Sequence, residues 1–174
     1  MIMVCFRHGL RVGELVSLRW DQVNLDEALM AVRRDKKGRN TEHPISGEEL
    51  RALRRLKREQ QSGTPFVFMT ERGGPMTDRA FRLLVSTAGE EAKLPFPVHP
   101  HMLRHAAGYK LVNDRQPIRA IQQYLGHRRI ESTERYTEID SQQFKGFFRE
   151  RDFEAPLTDQ DRPVLAWRLD RIWN

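Results

Sequence analysis

The sequence holds a single cysteine, Cys5. One thiol cannot close a disulfide within its own chain, and no Cys/His cluster has the spacing of zinc ligands. Cys5 lies in the apolar run Ile2-Met3-Val4-Cys5-Phe6 and reads as core packing, and the expected compartment is a reducing cytoplasm. No apolar stretch approaches the ~20 residues of a membrane span. The N-terminal run ends at Arg7 and His8, too short for a signal peptide, so no membrane partner is expected. A Gly-rich phosphate loop and a cage of metal-binding carboxylates are also missing, which leaves neither a metal nor another cofactor to expect. No internal repeat is visible.

What remains is a basic chain. Its 174 residues suit one domain with one core, and 39% hydrophobic with 31% charged residues fit a folded protein rather than a disordered one. A net charge of +6 favours a polyanionic partner such as nucleic acid. Charge alone does not decide, because many basic proteins bind no nucleic acid.

Periodicity and punctuation give an α+β chain, mainly α-helical, with a small antiparallel sheet. Met1 to Phe6 reads as the interior of an apolar helix, broken at Gly9 and resumed over Val12 to Leu18, with Leu15, Leu18, Val23 and Leu25 facing inward. Ala28 to Arg33 is β-compatible, residues 35–40 are a turn by composition, and Glu42 to Ile45 returns as a second strand. Ser46 to Lys57 reads as a helix opened by a capping box of Ser46 and Glu49. Phe66-Val67-Phe68 reads as a short strand, and Thr77 to Ala92 as a helix. Pro100 suits the first turn of a helix running to Asn113, and Met102, Leu103 and Ala106 are expected in its core face. Pro117 opens another helix that Gly126 ends. Ser132 or Thr133 is expected to cap a short helix carrying Tyr136, and a last helix falls near residues 142–151.

Four pieces stand out: Gly9-Leu10-Arg11-Val12-Gly13-Glu14-Leu15; the turn with Lys36 and Lys37; Pro100-His101-Met102-Leu103-Arg104-His105; and Leu125-Gly126-His127 followed by Tyr136. His101 and Arg104 lie three apart on a helix and share a face. Two cations beside a buried side cost energy unless an anion sits between them. Each residue alone has an ordinary explanation: Arg11 as a helix ion pair with Glu14, the lysines as solvated turn residues, His127 as a cap on helix carbonyls, Tyr136 as packing.

In this order and spacing the pieces resemble the tyrosine recombinase (phage integrase) family, most of all its fimbrial phase-variation members. The resemblance covers about residues 1–150 and implies that family's catalytic-domain fold. It matches Arg11 and Arg104 to the two phosphate-binding arginines and Lys36, with Lys37 as second choice, to the turn lysine. It matches His101 and His127 to the two histidines and Tyr136 to the nucleophile. The implied chemistry is site-specific cutting and rejoining of DNA through a 3′-phosphotyrosyl link, without metal or ATP. Arg11 and Arg104 would clamp the phosphate, His101 would accept a proton, His127 would donate to a phosphate oxygen, and Lys36 would protonate the leaving 5′-hydroxyl. Glu14 and His105 read as supporting residues, and Tyr109, Tyr124 and Trp20 as packing.

The implied partner is double-stranded DNA, bound by a homo-oligomer, a tetramer on DNA in this family. The expected division is a catalytic domain over residues 1–152, shortened at its N-terminus and without the family's core-binding domain, then a tail over 153–174 of no assigned role. Two other functions fit parts of the pattern: DNA relaxation of the type IB topoisomerase kind, and a helix-turn-helix-like DNA-binding module without chemistry.

Overall fold

Helix α1 (Ile2–Arg7) buries Val4 and Cys5 and stops where the chain must turn. Gly9 makes that turn at φ 55°, and a Cβ there would lie 2.4 Å from Leu125 Cδ2, so the position needs glycine twice over. Burial pushes the Cys5 thiol up to about 12, which leaves it an inert core residue. A short α2 (Val12–Val16) and a 3-10 turn (Trp20–Gln22) lead into the sheet. This is a computed structural model that describes residues 1–34, 40–60 and 63–137. Lys36, Lys37, the helix expected near 142–151 and the tail 153–174 lie outside the described residues.

The sheet has three antiparallel strands in the order β1 (Val23–Asn24), β2 (Leu29–Val32), β3 (Thr41–Pro44). Val23 pairs with Met30, and Met30 with His43. Met30 and Val32 are buried at alternate positions of β2, as a half-buried strand requires. The capping box of α3 (Gly47–Glu59) forms as expected: Ser46 Oγ accepts from the Glu49 N–H, and the Glu49 carboxylate accepts from the Ser46 N–H at 3.2 Å. Helix α4 (Asp78–Glu91) is capped by Thr77 and buries Phe81 and Val85. Helix α5 (Pro100–Asn113) runs between its expected ends. Helix α6 (Ile118–Leu125) ends at Gly126 with φ 64°, and α7 (Glu131–Glu134) follows.

Four expectations change. Val23, read only as an inward packing residue, begins a third strand. Phe66-Val67-Phe68 joins no strand of the sheet; it makes an isolated bridge from Phe66 to Arg19, and the Val67 N–H donates to Leu18 O at 2.9 Å. Val67 and Phe68 are both buried, so this segment does not show the alternation of a half-buried strand. On α5 the buried residues are Pro100, Arg104, Ala107, Gly108 and Val112, while Ala106 is exposed and Met102 is half-buried; Leu103, also half-buried, packs against the core as expected. Finally, Ser132 and Thr133 lie inside α7 rather than capping it, and Tyr136 follows the helix. Thr133 is fully buried and its hydroxyl is engaged by His127 (Nδ1 to Oγ1, 2.9 Å), so it serves a tertiary contact instead of a cap.

Two apolar clusters result. The larger gathers α1 to α4 and the sheet around Leu10, Leu15, Met30 and Phe81. The smaller joins Val112, Ile121, Leu125 and Tyr136. Helix α5 packs on α1 and on α6, and Arg104 lies where these elements meet.

Candidate active site

Arg11 sits at the N-terminus of α2, and Glu14 of the same turn holds it. The Arg11 N–H donates to Glu14 Oε2 at 2.8 Å and Nη1 donates to Oε1 at 2.9 Å. Glu14 is buried, while the Arg11 side chain is about two-fifths exposed. The ion pair offered as the ordinary explanation for Arg11 therefore exists, and it leaves the guanidinium facing solvent. Arg11 lines two grooves. One includes Gly13, Asp78, Arg82 and His101; the other includes His127, Arg128, Arg129 and Ser132.

Arg104 is buried at 2% exposure. Its Nη1 donates to the Gly9 carbonyl and its Nη2 to the Leu125 carbonyl, which pins the turn after α1 to the end of α6. Burial pulls the Arg104 guanidinium down to about 10, and repulsion from Arg11 and Arg34 adds to the effect. It remains charged at neutral pH.

His127 follows the left-handed Gly126, and its Nδ1 bonds Thr133 Oγ1 at 2.9 Å. Burial lowers it to about 4, with Arg104, Arg11, Arg135 and Arg34 contributing repulsion, so the ring is neutral at pH 7. His101 is exposed and also lowered, first by desolvation, then by Arg104 and Arg11.

Tyr136 is buried at 2% exposure. Its ring packs edge-on to Tyr109, with centroids 5.0 Å apart, and lies 6.1 Å from the His127 ring. Gly108 of α5 gives it room, since a Cβ there would fall 2.5 Å from Tyr136 Cε2. Its hydroxyl lies 3.1 Å from His105 Nδ1. Desolvation raises the phenol and the Arg104 charge opposes that rise. His105 is lowered by desolvation, then by His101, Arg135 and Arg104, which favours the uncharged ring beside the phenol.

The structure thus brings Arg11, Arg104, His101, His127 and Tyr136 to one region, where guanidinium charges dominate the repulsion on both histidines. The two histidines of α5 lie differently around Tyr136. His105, read as a supporting residue, touches the Tyr136 hydroxyl. His101, read as the proton acceptor, stacks edge-on to His105 at 4.5 Å and shares a groove with Arg11. Sequence reasoning missed Arg34, whose enclosed side chain pairs with Glu14 at 2.7 Å; it falls between the expected strand and the lysine turn, and nothing local marks it. It also missed a buried set formed by His8, His43, Glu49 and Tyr124. There His8 Nε2 lies 3.2 Å from Glu49 Oε1, and the His43 and Tyr124 rings stack at 3.8 Å. Among the described residues no group of three or more His, Cys, Asp or Glu is placed to hold a metal ion, and no helix is long and apolar enough to cross a membrane.

The phage integrase family model matches residues 1–143. The chain is 36% identical over 153 residues to the type 1 fimbriae regulatory protein FimE of Escherichia coli (strain K12), covering 85% of this chain and 77% of the relative. It is 34% identical over 143 residues to tyrosine recombinase XerC of Xylella fastidiosa (strain M23), covering 82% of this chain and 48% of that one. The crystal structure of XerA recombinase superposes with a TM-score of 0.72 at 27% identity, over 82% of this chain and 53% of that one. The catalytic domain of bacteriophage HP1 integrase gives 0.61 at 21% identity, over 83% of this chain and 76% of that one. The chain spans about half the length of XerC and of the XerA chain. It belongs to the phage integrase family and has the catalytic-domain fold of the tyrosine recombinases.

Proposed function

We propose that this chain is a site-specific DNA recombinase whose catalytic domain, over residues 1–152, cuts and rejoins DNA through a 3′-phosphotyrosyl bond to Tyr136. One observation carries the reading: the Tyr136 hydroxyl lies 3.1 Å from His105, in the same region as Arg104, His127 and the solvent-facing Arg11, whose two grooves can take an anion. A backbone phosphate supplies that anion. Arg11, about two-fifths exposed and held through Nη1 by Glu14, offers its remaining N–H groups to the nonbridging oxygens. Arg104, held on two carbonyls, adds charge to the growing transition state.

A phenol in water sits ~3 units above pH 7, a gap of about 4 kcal/mol. Arg104 and the proton acceptor at His105 offset it. His127, neutral and oriented by Thr133, donates to a phosphate oxygen. His101 stays in the set as the first relay beyond His105, its ring centroid 4.5 Å away. Lys36, or else Lys37, protonates the leaving 5′-hydroxyl. The tyrosyl ester keeps the energy of the phosphodiester, so a 5′-hydroxyl reverses the step without ATP or metal. Because the hydroxyl is buried, DNA engagement has to bring it into the cleft beside Arg11 and His127.

The partner is double-stranded DNA, engaged by four copies of the chain in the cytoplasm. Two solved relatives are described as XerH recombinase bound to its difH substrate before and after cleavage, which supports DNA as the partner. The similarity to FimE and XerC supports recombination over supercoil relaxation and over DNA binding without chemistry. A nicked suicide substrate tests the proposal. After incubation, a denaturing gel should show protein-linked DNA for the unaltered chain, and none for Tyr136→Phe, which still binds. No linked DNA from either chain refutes it.

A further inference from the structure

Arg34 leaves the end of β2 and its side chain is completely enclosed. Its Nη1 donates to Glu14 Oε2 at 2.7 Å, and its Nη2 donates to the Tyr124 carbonyl. Its stem and Nε lie over Gly126, where a Cβ would come within 2.7 Å of Nε. One guanidinium therefore ties together Glu14, whose other oxygen holds Arg11, and the end of α6, from which His127 emerges. Among the described residues the Arg34 Nε has no hydrogen-bond partner.

Stability alone does not account for an arginine here. A buried ion pair stabilises little more than apolar residues of the same shape, and an unpaired buried donor adds a cost. Arg34 also contributes repulsion to Arg104 and His127. What a planar fork supplies, and an apolar side chain does not, is two fixed directions at once. One direction sets the Glu14 carboxylate and so the aim of Arg11. The other sets the Tyr124 carbonyl and the left-handed turn at Gly126, and so the aim of His127.

We infer that Arg34 is a positioning residue that locks Arg11 and His127 into one phosphate-binding unit. It touches no DNA itself. The inference rests on the roles proposed for Arg11 and His127.

Arg34→Lys tests it. The lysine keeps the charge beside Glu14 but loses the fork. The variant should melt within a few degrees of the unaltered chain and bind DNA within about threefold of its Kd. Its rate of covalent adduct formation on a nicked substrate should fall roughly tenfold to a hundredfold, the loss expected when a positioned group is misaligned. On a substrate with a neutral methylphosphonate at the scissile position, Arg11 has no second charge to neutralise, and the gap should shrink to about threefold. A purely structural role lowers both substrates equally. Equal losses on both, an unchanged phosphodiester rate, or a loss confined to DNA binding overturns the inference. If R34K does not fold, Arg34→Gln replaces it: its melting point falls further, because the buried Glu14 loses its charge partner, while the same contrast between the two substrates is expected. If even the unaltered chain forms no adduct, the proposed function is what fails. The positioning is then read by NMR of the Arg11 side-chain N–H: a shifted or broadened signal in R34K supports it, and an unchanged signal overturns it.

Discussion

Gly108 and Tyr136 offer a test in which the sign of one mutation depends on the other. Replacing a helix-interior glycine with alanine ordinarily stabilises by about 1 kcal/mol, because alanine loses less backbone freedom. In α5 the added methyl meets Tyr136 Cε2 at 2.5 Å and Cζ at 2.6 Å, well inside contact distance. The ring cannot slide away freely, with Tyr109 against its edge and His105 on its hydroxyl. Overpacking of this kind costs about 1–3 kcal/mol. Gly108→Ala in the unaltered chain is therefore expected to be neutral or to destabilise by up to about 2 kcal/mol. In a Tyr136→Ala background the methyl falls into the space the ring has left, and the same change should stabilise by about 1 kcal/mol. Chemical denaturation of the four chains completes the cycle, with an expected coupling of about 1–3 kcal/mol. An effect of Gly108→Ala that is the same in both backgrounds would refute the seating of Tyr136 on α5.

Other outcomes follow from the same geometry. Glu14→Gln leaves the enclosed Arg34 without its carboxylate and should cost about 3–5 kcal/mol in a denaturation midpoint experiment, more than any exposed pair would; a loss below about 1 kcal/mol contradicts the buried pair. Thr133→Val keeps the shape of the residue but removes the bond to His127, and should slow adduct formation with the melting point lowered by only a few degrees. Acid should unfold the protein in two overlapping windows. His43 is depressed from 6.5 to about 3 by burial, so the unfolded chain takes up the proton first, and this contribution is lost as pH falls from about 6.5 toward 3. Glu49, which burial would raise but which the nearby His8 and the Ser46 bonds bring down from 4.5 to about 2, contributes stability above about 4.5 that is lost toward 2. Each group changes stability by at most about 1.4 kcal/mol per pH unit within its window. His43→Asn should flatten the upper window, and a pH profile identical to that of the unaltered chain contradicts this.

The helices were legible wherever local chemistry sets them. Ser46 with Glu49, Pro100, Pro117 and Gly126 mark helix ends by bonds made within a few residues, so their positions follow from the chain alone. The order of Arg11, His101, Arg104, His127 and Tyr136 was legible as well, because the resemblance rests on spacing. What could not be read depends on distant partners. Thr133 looked like a cap because nothing local shows that His127 claims its hydroxyl. Val67 and Phe68 looked like a strand because their backbone bonds run to Leu18 and Met76, which no alternation reveals. Arg34 sat beside a basic turn, and only Glu14, twenty residues away, explains its burial. His101 and His105 lie one helical turn apart, and which of them meets Tyr136 depends on where the turn after α7 brings the ring.

The most direct measurement digests the protein–DNA adduct from a suicide substrate with protease and identifies the linked residue by mass spectrometry. The expected product is a single peptide bearing nucleotide through the phenol oxygen of Tyr136, formed equally well in the presence of a chelator. A nucleotide attached to any other residue, or an adduct that persists when Tyr136 is replaced by phenylalanine, contradicts the assignment of the nucleophile and the chemistry built on it.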